Sequence, residues 1–140
     1  MKNKILTISG KSGSGKTTLS DALVATGKFE ETISFTTRYP RPGEIDGKHY
    51  NFISKDDFKK NKESGRVIEF TNINGNFYGT DMNSLNTIYK KGKIPVIVCD
   101  PECPINLKKK EKELNVDVIP VFIKASPSIL AERLFDRLEQ

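Results

Sequence analysis

Eight consecutive residues, Gly10-Lys11-Ser12-Gly13-Ser14-Gly15-Lys16-Thr17, have the types and spacing of a phosphate-cradling loop, G-x-x-x-x-G-K-[ST]. The glycines let the backbone approach an anion with no Cβ in the way. Successive N–H groups in such a loop turn inward around a phosphate, and a following helix adds the positive end of its dipole. Lys16 would then reach the outer phosphates of a nucleoside triphosphate, and the Thr17 hydroxyl would ligate Mg²⁺. Gly10 through Thr18 is thus the candidate nucleotide-binding stretch. A glycine-rich surface turn that fits by chance is the alternative, and the flanks speak against it. Ile5-Leu6-Thr7-Ile8-Ser9 reads as a buried strand, and Leu19, Ala22, Leu23 and Ala25 follow at helical spacing.

Three further groups have side chains suited to chemistry. Arg38 and Arg41 sit in Arg38-Tyr39-Pro40-Arg41-Pro42-Gly43, a proline-stiffened turn on which two guanidiniums could clamp one phosphate. Two surface arginines in a polar loop would look the same. Tyr50 and Tyr78 offer hydroxyl donors to a phosphate, and Glu69, near Thr80, could accept from adjacent N–H donors on a purine edge. From the residues alone, core aromatics and an exposed strand glutamate are the better reading of that group. Asp100 follows an apolar strand, where doubly wound sheets place ligand-binding groups, and could serve Mg²⁺ or an acceptor nucleotide. It could equally cap the strand before Pro101. His49, the single histidine, reads as a surface residue.

The elements that must position these groups alternate. Strands are expected at about 5–9, 31–36, 94–99 and 116–123, the last containing Pro120. Helices are expected from Thr17 to Ala25, from Asp56 to Glu63 behind a Ser54 cap, from Asp81 to Lys91, and from Ser126-Pro127 through Ile129, Leu130, Leu134 and Leu138. Apolar strands alternating with helices imply a parallel sheet covered on both faces. The stretch from Lys48 to Thr80, with its aromatics and a Gly75-Asn76 turn, breaks that alternation and reads as an inserted lobe.

A chain of 140 residues suits one domain. No apolar run is long enough to span a membrane, and the basic N-terminus precedes a strand rather than a secretion signal. The net charge of +5 comes from 23 basic and 18 acidic residues. Part of it lies in the mixed run Lys108-Lys109-Lys110-Glu111-Lys112-Glu113, which reads as a solvated helix face rather than a nucleic-acid arm. Cys99 and Cys103 have the wrong spacing for a redox pair and no zinc-site companions, which suits a reducing cytoplasm. Cys99 is expected to end a strand, buried.

Together these residues resemble the guanylate kinase family, from Ile5 to about Arg137. The resemblance rests on the phosphate loop, on Ser34-Phe35-Thr36-Thr37-Arg38 with Pro40-Arg41-Pro42-Gly43-Glu44, on Asp46-Gly47-Lys48-His49-Tyr50-Asn51-Phe52, and on Gly75-Asn76-Phe77-Tyr78-Gly79-Thr80. It implies a three-layer α/β/α fold of the phosphate-loop nucleotide-binding class, with a parallel core sheet (1–34 and 81–140) and an inserted mixed-β GMP-binding lobe at about 35–80. It implies phosphoryl transfer from ATP to GMP or dGMP with Mg²⁺, in the cytoplasm, with no nucleic-acid or membrane partner. Arg38, Arg41, Tyr50 and Tyr78 match the positions that hold the GMP phosphate. Ser34, Glu69 and Thr80 match those that read guanine, and Asp100 matches the second aspartate of an Asp-x-Asp-x-Gln-Gly stretch. Lys16, Arg38, Arg41 and Arg137 are the implied catalytic set, with Arg133 also toward the transferred phosphates.

The pattern is broken in three ways. Val98 stands where the first aspartate is expected, near Mg²⁺, and Glu102-Cys103 replace Gln-Gly. Pro101 stiffens the same loop. The chain also ends before most of the family's mobile lid, a last strand and a C-terminal helix, which implies slow turnover and a stability that is marginal or partner-dependent. A weakly active or inactive nucleotide- or phosphopeptide-binding module, and a sibling kinase for another phosphorylated acceptor, are the other readings. Intact Lys16 and Thr17 favour the kinase. Oligomeric state is not legible in the sequence.

Overall fold

The structure is a computed structural model that describes residues 2–11, 13–124, 131–132 and 135–138. Strand β1 (Asn3–Gly10) leads through the glycine loop into α1 (Lys16–Ala25), followed by β2 (Phe29–Glu31), β3 (Phe35–Thr36), β4 (Asn51–Phe52) and α2 (Lys55–Glu63). Strands β5 (Val67–Ile73) and β6 (Asn76–Asp81) form a hairpin, and α3 (Met82–Lys90), β7 (Ile94–Val98), α4 (Glu102–Lys108), α5 (Glu111–Leu114) and β8 (Val116–Ile123) complete the order. Residues 131–132 and 135–138 are helical. The expected start of the last helix at Ser126-Pro127 lies outside the described residues.

The core sheet runs β2-β7-β1-β8, all parallel, with Leu6 beside Val96 and Ile5 beside Val118. Both faces of β1 are buried, which is why it reads as an unbroken apolar run. On one face Leu6 and Ile8 pack with Leu19 and Leu23 of α1. On the other, Ile5 and Val118 pack with Leu85 of α3 and Leu107 of α4. The arrangement is the expected α/β/α layering. Pro120 fits a regular strand because, among the described residues, β8 lies at the edge of the sheet, where proline is tolerated.

The second sheet, β4-β3-β6-β5, is mixed. Its core is Phe35, Phe58 and Val67. Helix α2 brings Phe58 there, and the Ser54 hydroxyl accepts from Asp57 N–H at 3.1 Å to cap it. Asn74 and Gly75, both at positive φ (52° and 84°), make the hairpin turn, one residue earlier than the sequence suggested. Between Val67 and Glu69 the ladder carries a bulge, so Glu69 rather than Ile68 lies opposite Thr80.

Three expectations change, and a fourth gains a detail. The strand expected at 31–36 is two strands in two sheets. Thr32 N–H still bonds Val96 O at 2.8 Å, but Ile33 N–H is taken by the Ser84 hydroxyl at 3.1 Å, which ends the core ladder and releases the chain to the second sheet. Strand β7 stops at Val98, leaving Cys99 half-buried while Cys103 is the buried thiol. The lysine run is not one helix: α4 and α5 are separated by a turn at Lys109 and Lys110. His49 is exposed as expected, but its Nδ1 accepts from Ile45 N–H at 2.9 Å and so shapes its loop.

Candidate functional site

The phosphate loop is built as its sequence dictates. Gly13 and Gly15 take positive φ (80° and 99°), open to glycine at little cost. A Cβ on Gly10 would lie 2.7 Å from Ser14 Oγ and 2.8 Å from Ile123 O, so the close approach there admits no side chain. Helix α1 begins with no side-chain cap and no acidic residue in its first turn, whereas α2 and α3 are capped by Ser54 and Asp81. Its first N–H groups and the positive end of its dipole therefore point into the loop. Lys16 Nζ donates to the Gly10 carbonyl at 2.8 Å, which lays the ammonium across the loop. Gly13, Gly15, Lys16, Thr17, Thr18 and Arg137 line one cavity of about 290 Å³, so Arg137 does meet the loop. Ser12 and Arg133 lie outside the described residues.

A second cavity, of about 340 Å³, also reaches Lys16 and lies between the two sheets. It gathers Ser34, Tyr50, Glu69, Tyr78, Thr80 and Asp100 from widely spaced parts of the chain. Glu69 is only 6% exposed, against the reading as an exposed strand residue, and Thr80 Oγ1 donates to its Oε2 at 3.0 Å. Burial raises the Glu69 carboxyl pKa, opposed by hydrogen bonds from Thr80, Asn106 and Cys103. Tyr50 is likewise raised, first by burial and then by Tyr78, which keeps its hydroxyl protonated as a donor. Asp100 is exposed at the cavity edge, and its Oδ1 accepts from the N–H of Glu102, the first residue of α4, at 3.2 Å, so it is tied to that helix while it lines the cavity. Val98 puts an apolar wall where a second carboxylate would stand.

The arginines differ. Arg38 is half-buried, stacked 5.5 Å from the Tyr50 ring centroid, and its Nε donates to the Tyr78 hydroxyl at 3.2 Å. Glu44 accepts from both of its terminal nitrogens, at 2.8 and 3.1 Å, and from Arg41 N–H at 2.7 Å. That pairing raises the Arg38 pKa and lowers Glu44 to about 2. Arg41 is exposed, and neither arginine lines the cavity itself: Arg38 reaches its wall through Tyr50 and Tyr78, which do, and Arg41 lies outside it.

Sequence reasoning missed Glu44 as a partner of Arg38, together with Thr71, Cys103 and Asn106 around the cavity. Glu44 was within reach of it, since a carboxylate three residues after Arg41 in a turn is a natural mate for either arginine. Asn106 left no local signal, because only the crossing of α4 over β5 brings it to Glu69.

A strand–glycine loop–helix at the centre of a parallel sheet, with a second sheet closing a polar cavity over it, defines a protein of the phosphate-loop α/β class. The guanylate kinase family model matches residues 2–140. Guanylate kinase from Bartonella henselae is 40% identical over 134 residues, covering 94% of this chain and 59% of that protein. Guanylate kinase from Wolinella succinogenes is 40% identical over 123 residues, covering 84% and 55%. The crystal structure of guanylate kinase from Anaplasma phagocytophilum superimposes with a TM-score of 0.73 at 29% identity, covering 96% of this chain and 68% of that one. The chain belongs to the guanylate kinase family. It spans 59% and 55% of the lengths of those two sequence relatives.

Proposed function

We propose that this chain binds ATP on the loop from Gly10 to Thr18 and GMP or dGMP in the cavity between the sheets, and transfers the terminal phosphoryl group of ATP to the monophosphate. The observation that carries the reading is that Lys16 lines both cavities, so one ammonium is shared between the donor loop and the acceptor pocket.

The acceptor phosphate is already an anion, so no strong protein base is required. Arg38 is the main anchor for it, with Tyr50 and Tyr78 as hydroxyl donors and Arg41 joining from the rim. Ser34, Glu69 and Thr80 read the base, Glu69 accepting from the N1–H and the 2-amino group of guanine. Asp100 lies beside that subsite. The strands from Phe35 to Asp81 act as the acceptor lobe, whose closure would exclude water. Lys16, with Arg137 beside the loop, would neutralise charge on the group in transit.

Among the described residues no group of three carboxylate, cysteine or histidine side chains could hold a metal on its own. The donor set instead fits Mg²⁺ held by the Thr17 hydroxyl, nucleotide phosphates and water, which is the way this ion is commonly bound. It would supply charge neutralisation at the phosphates.

ADP formation from Mg·ATP across a panel of nucleoside monophosphates, with equilibrium binding of each acceptor in parallel, tests the proposal. Turnover or binding restricted to GMP and dGMP is expected. Equal response to all acceptors in both assays would overturn it.

A further inference from the structure

The carboxylate assigned to guanine stands on β5 of the second sheet, yet one of the side chains that bonds it, Asn106, comes from α4 of the core. Thr80 holds Oε2 at 3.0 Å. Asn106 Nδ2 lies 3.5 Å from Oε1 and 3.4 Å from the Phe70 carbonyl, bridging the side chain to the backbone of its own strand. Cys103 is one helical turn earlier on the same face of α4, buried, and lines the same cavity as Glu69.

We propose that Asn106 and Cys103 are positioning residues for Glu69, and that by fixing the plane of its carboxylate from the core they set the preference for guanine over a purine without a 2-amino group. This rests on the assignment of Glu69 to the base. The terminal torsion of a glutamate is broad and two-fold, so a carboxylate held on one oxygen alone swings easily. Two parallel bonds to N1–H and the 2-amino group require the carboxylate to lie in the plane of the base, and a swing breaks one of them. Thr80 on one oxygen and Asn106 on the other remove that freedom, while a carboxylate's roughly four acceptor sites leave room for both guanine donors. The Asn106 contact is long, as site hydrogen bonds often are before a ligand tightens them. Cys103 supplies a neutral donor: hydrogen bonding with Cys99 and burial raise its pKa, so it stays a thiol.

Titration calorimetry of GMP, IMP and a non-hydrolysable Mg·ATP analogue against the full 140-residue chain tests this. IMP has the same phosphate and sugar and lacks the 2-amino group. Asn106→Ala is expected to weaken GMP about five- to tenfold, with IMP and the ATP analogue within about twofold, so the GMP:IMP ratio falls. Asn106→Asp, which replaces a donor by a like charge, should lower the ratio further. Cys103→Ser, which keeps a donor, should retain more of it than Cys103→Ala. Thermal melting of each variant checks that it is folded. An unchanged ratio in folded Asn106→Ala and Asn106→Asp overturns the proposal. Glu69→Ala separates the two levels: loss of its GMP:IMP preference upholds the base assignment even where Asn106 fails. A preference that survives Glu69→Ala removes the base assignment, and this inference with it.

Discussion

Glu44 and Glu69 are two carboxylates held in opposite electrostatic states, and their pH responses should differ accordingly. Glu44, paired with Arg38, titrates near 2 against an ordinary 4.5, so its stabilising contribution is present above 4.5 and disappears as pH falls toward about 2. The Arg38 anchor should therefore survive mild acid. Glu69 has a raised pKa, so its buried charge costs stability at neutral pH, and the protein recovers that cost as pH falls through the raised value. Base reading goes the other way, because a protonated Glu69 no longer accepts two donors. The GMP:IMP affinity ratio, which cancels ionisation of the shared phosphate, should fall as pH is lowered from 7 toward the usual carboxylate range, and a flat ratio would contradict this. Lys16→Ala should abolish phosphoryl transfer without shifting the melting temperature by more than a few degrees, since among the described residues its ammonium bonds the Gly10 carbonyl, a single contact of modest net worth. Glu44→Gln should weaken GMP and IMP equally, because it loosens the phosphate anchor and leaves the base contacts alone.

Strands β5 and β6 depend on a very close packing contact. A Cβ on Gly79 would meet Val67 Cγ1 at 2.8 Å and Phe58 Cζ at 2.9 Å, both in the small core of the second sheet. Gly79→Ala should then cost about 1–3 kcal/mol through overpacking, read by urea denaturation, and should weaken GMP because Gly79 lines the cavity. Helix α2 supplies Phe58, and Ser54→Ala should cost about 1 kcal/mol through its lost cap. Asp81 is the counterpart at the start of α3. Its carboxylate accepts from Asn83 N–H at 3.0 Å and from Arg66 Nε and Nη2 at 3.0 and 3.1 Å, which ties the start of β5 to the junction with the core.

Across the whole molecule, the cavity proposed for the acceptor belongs to neither sheet alone. Ser34, Glu69 and Thr80 reach it from one side, and Asp100, Cys103 and Lys16 from the other. GMP should therefore slow amide exchange in β5 and in the first turns of α4 together, and at about 100 times its Kd should add about 2.7 kcal/mol of stability. A nucleotide triphosphate analogue should instead protect the loop and α1. Protection confined to β5 would mean that the core does not take part in acceptor binding.

The phosphate loop and the core sheet were legible in the sequence because each rests on local rules: glycines where φ is positive or a backbone passes close, and unbroken apolar runs where a strand is covered on both faces. The turn that stiffens Arg38 and the Ser54 cap of α2 were legible for the same reason, whereas Asp81, expected as the first residue of α3, is its cap. The residues alone suggested an exposed Glu69, which the structure buries, and the motif resemblance grouped it with Tyr50, but neither could supply the geometry. A bulge between Val67 and Glu69 turns the glutamate toward Thr80, and a one-residue change of register in a strand moves a side chain to the opposite face. Likewise Asn106 and Cys103 meet Glu69 only because α4 packs over β5, a contact between segments 37 residues apart in the case of Asn106. Register and packing of distant segments are cooperative properties of the folded chain, and for that reason the tertiary structure alone decided how the candidate base-reading carboxylate is held.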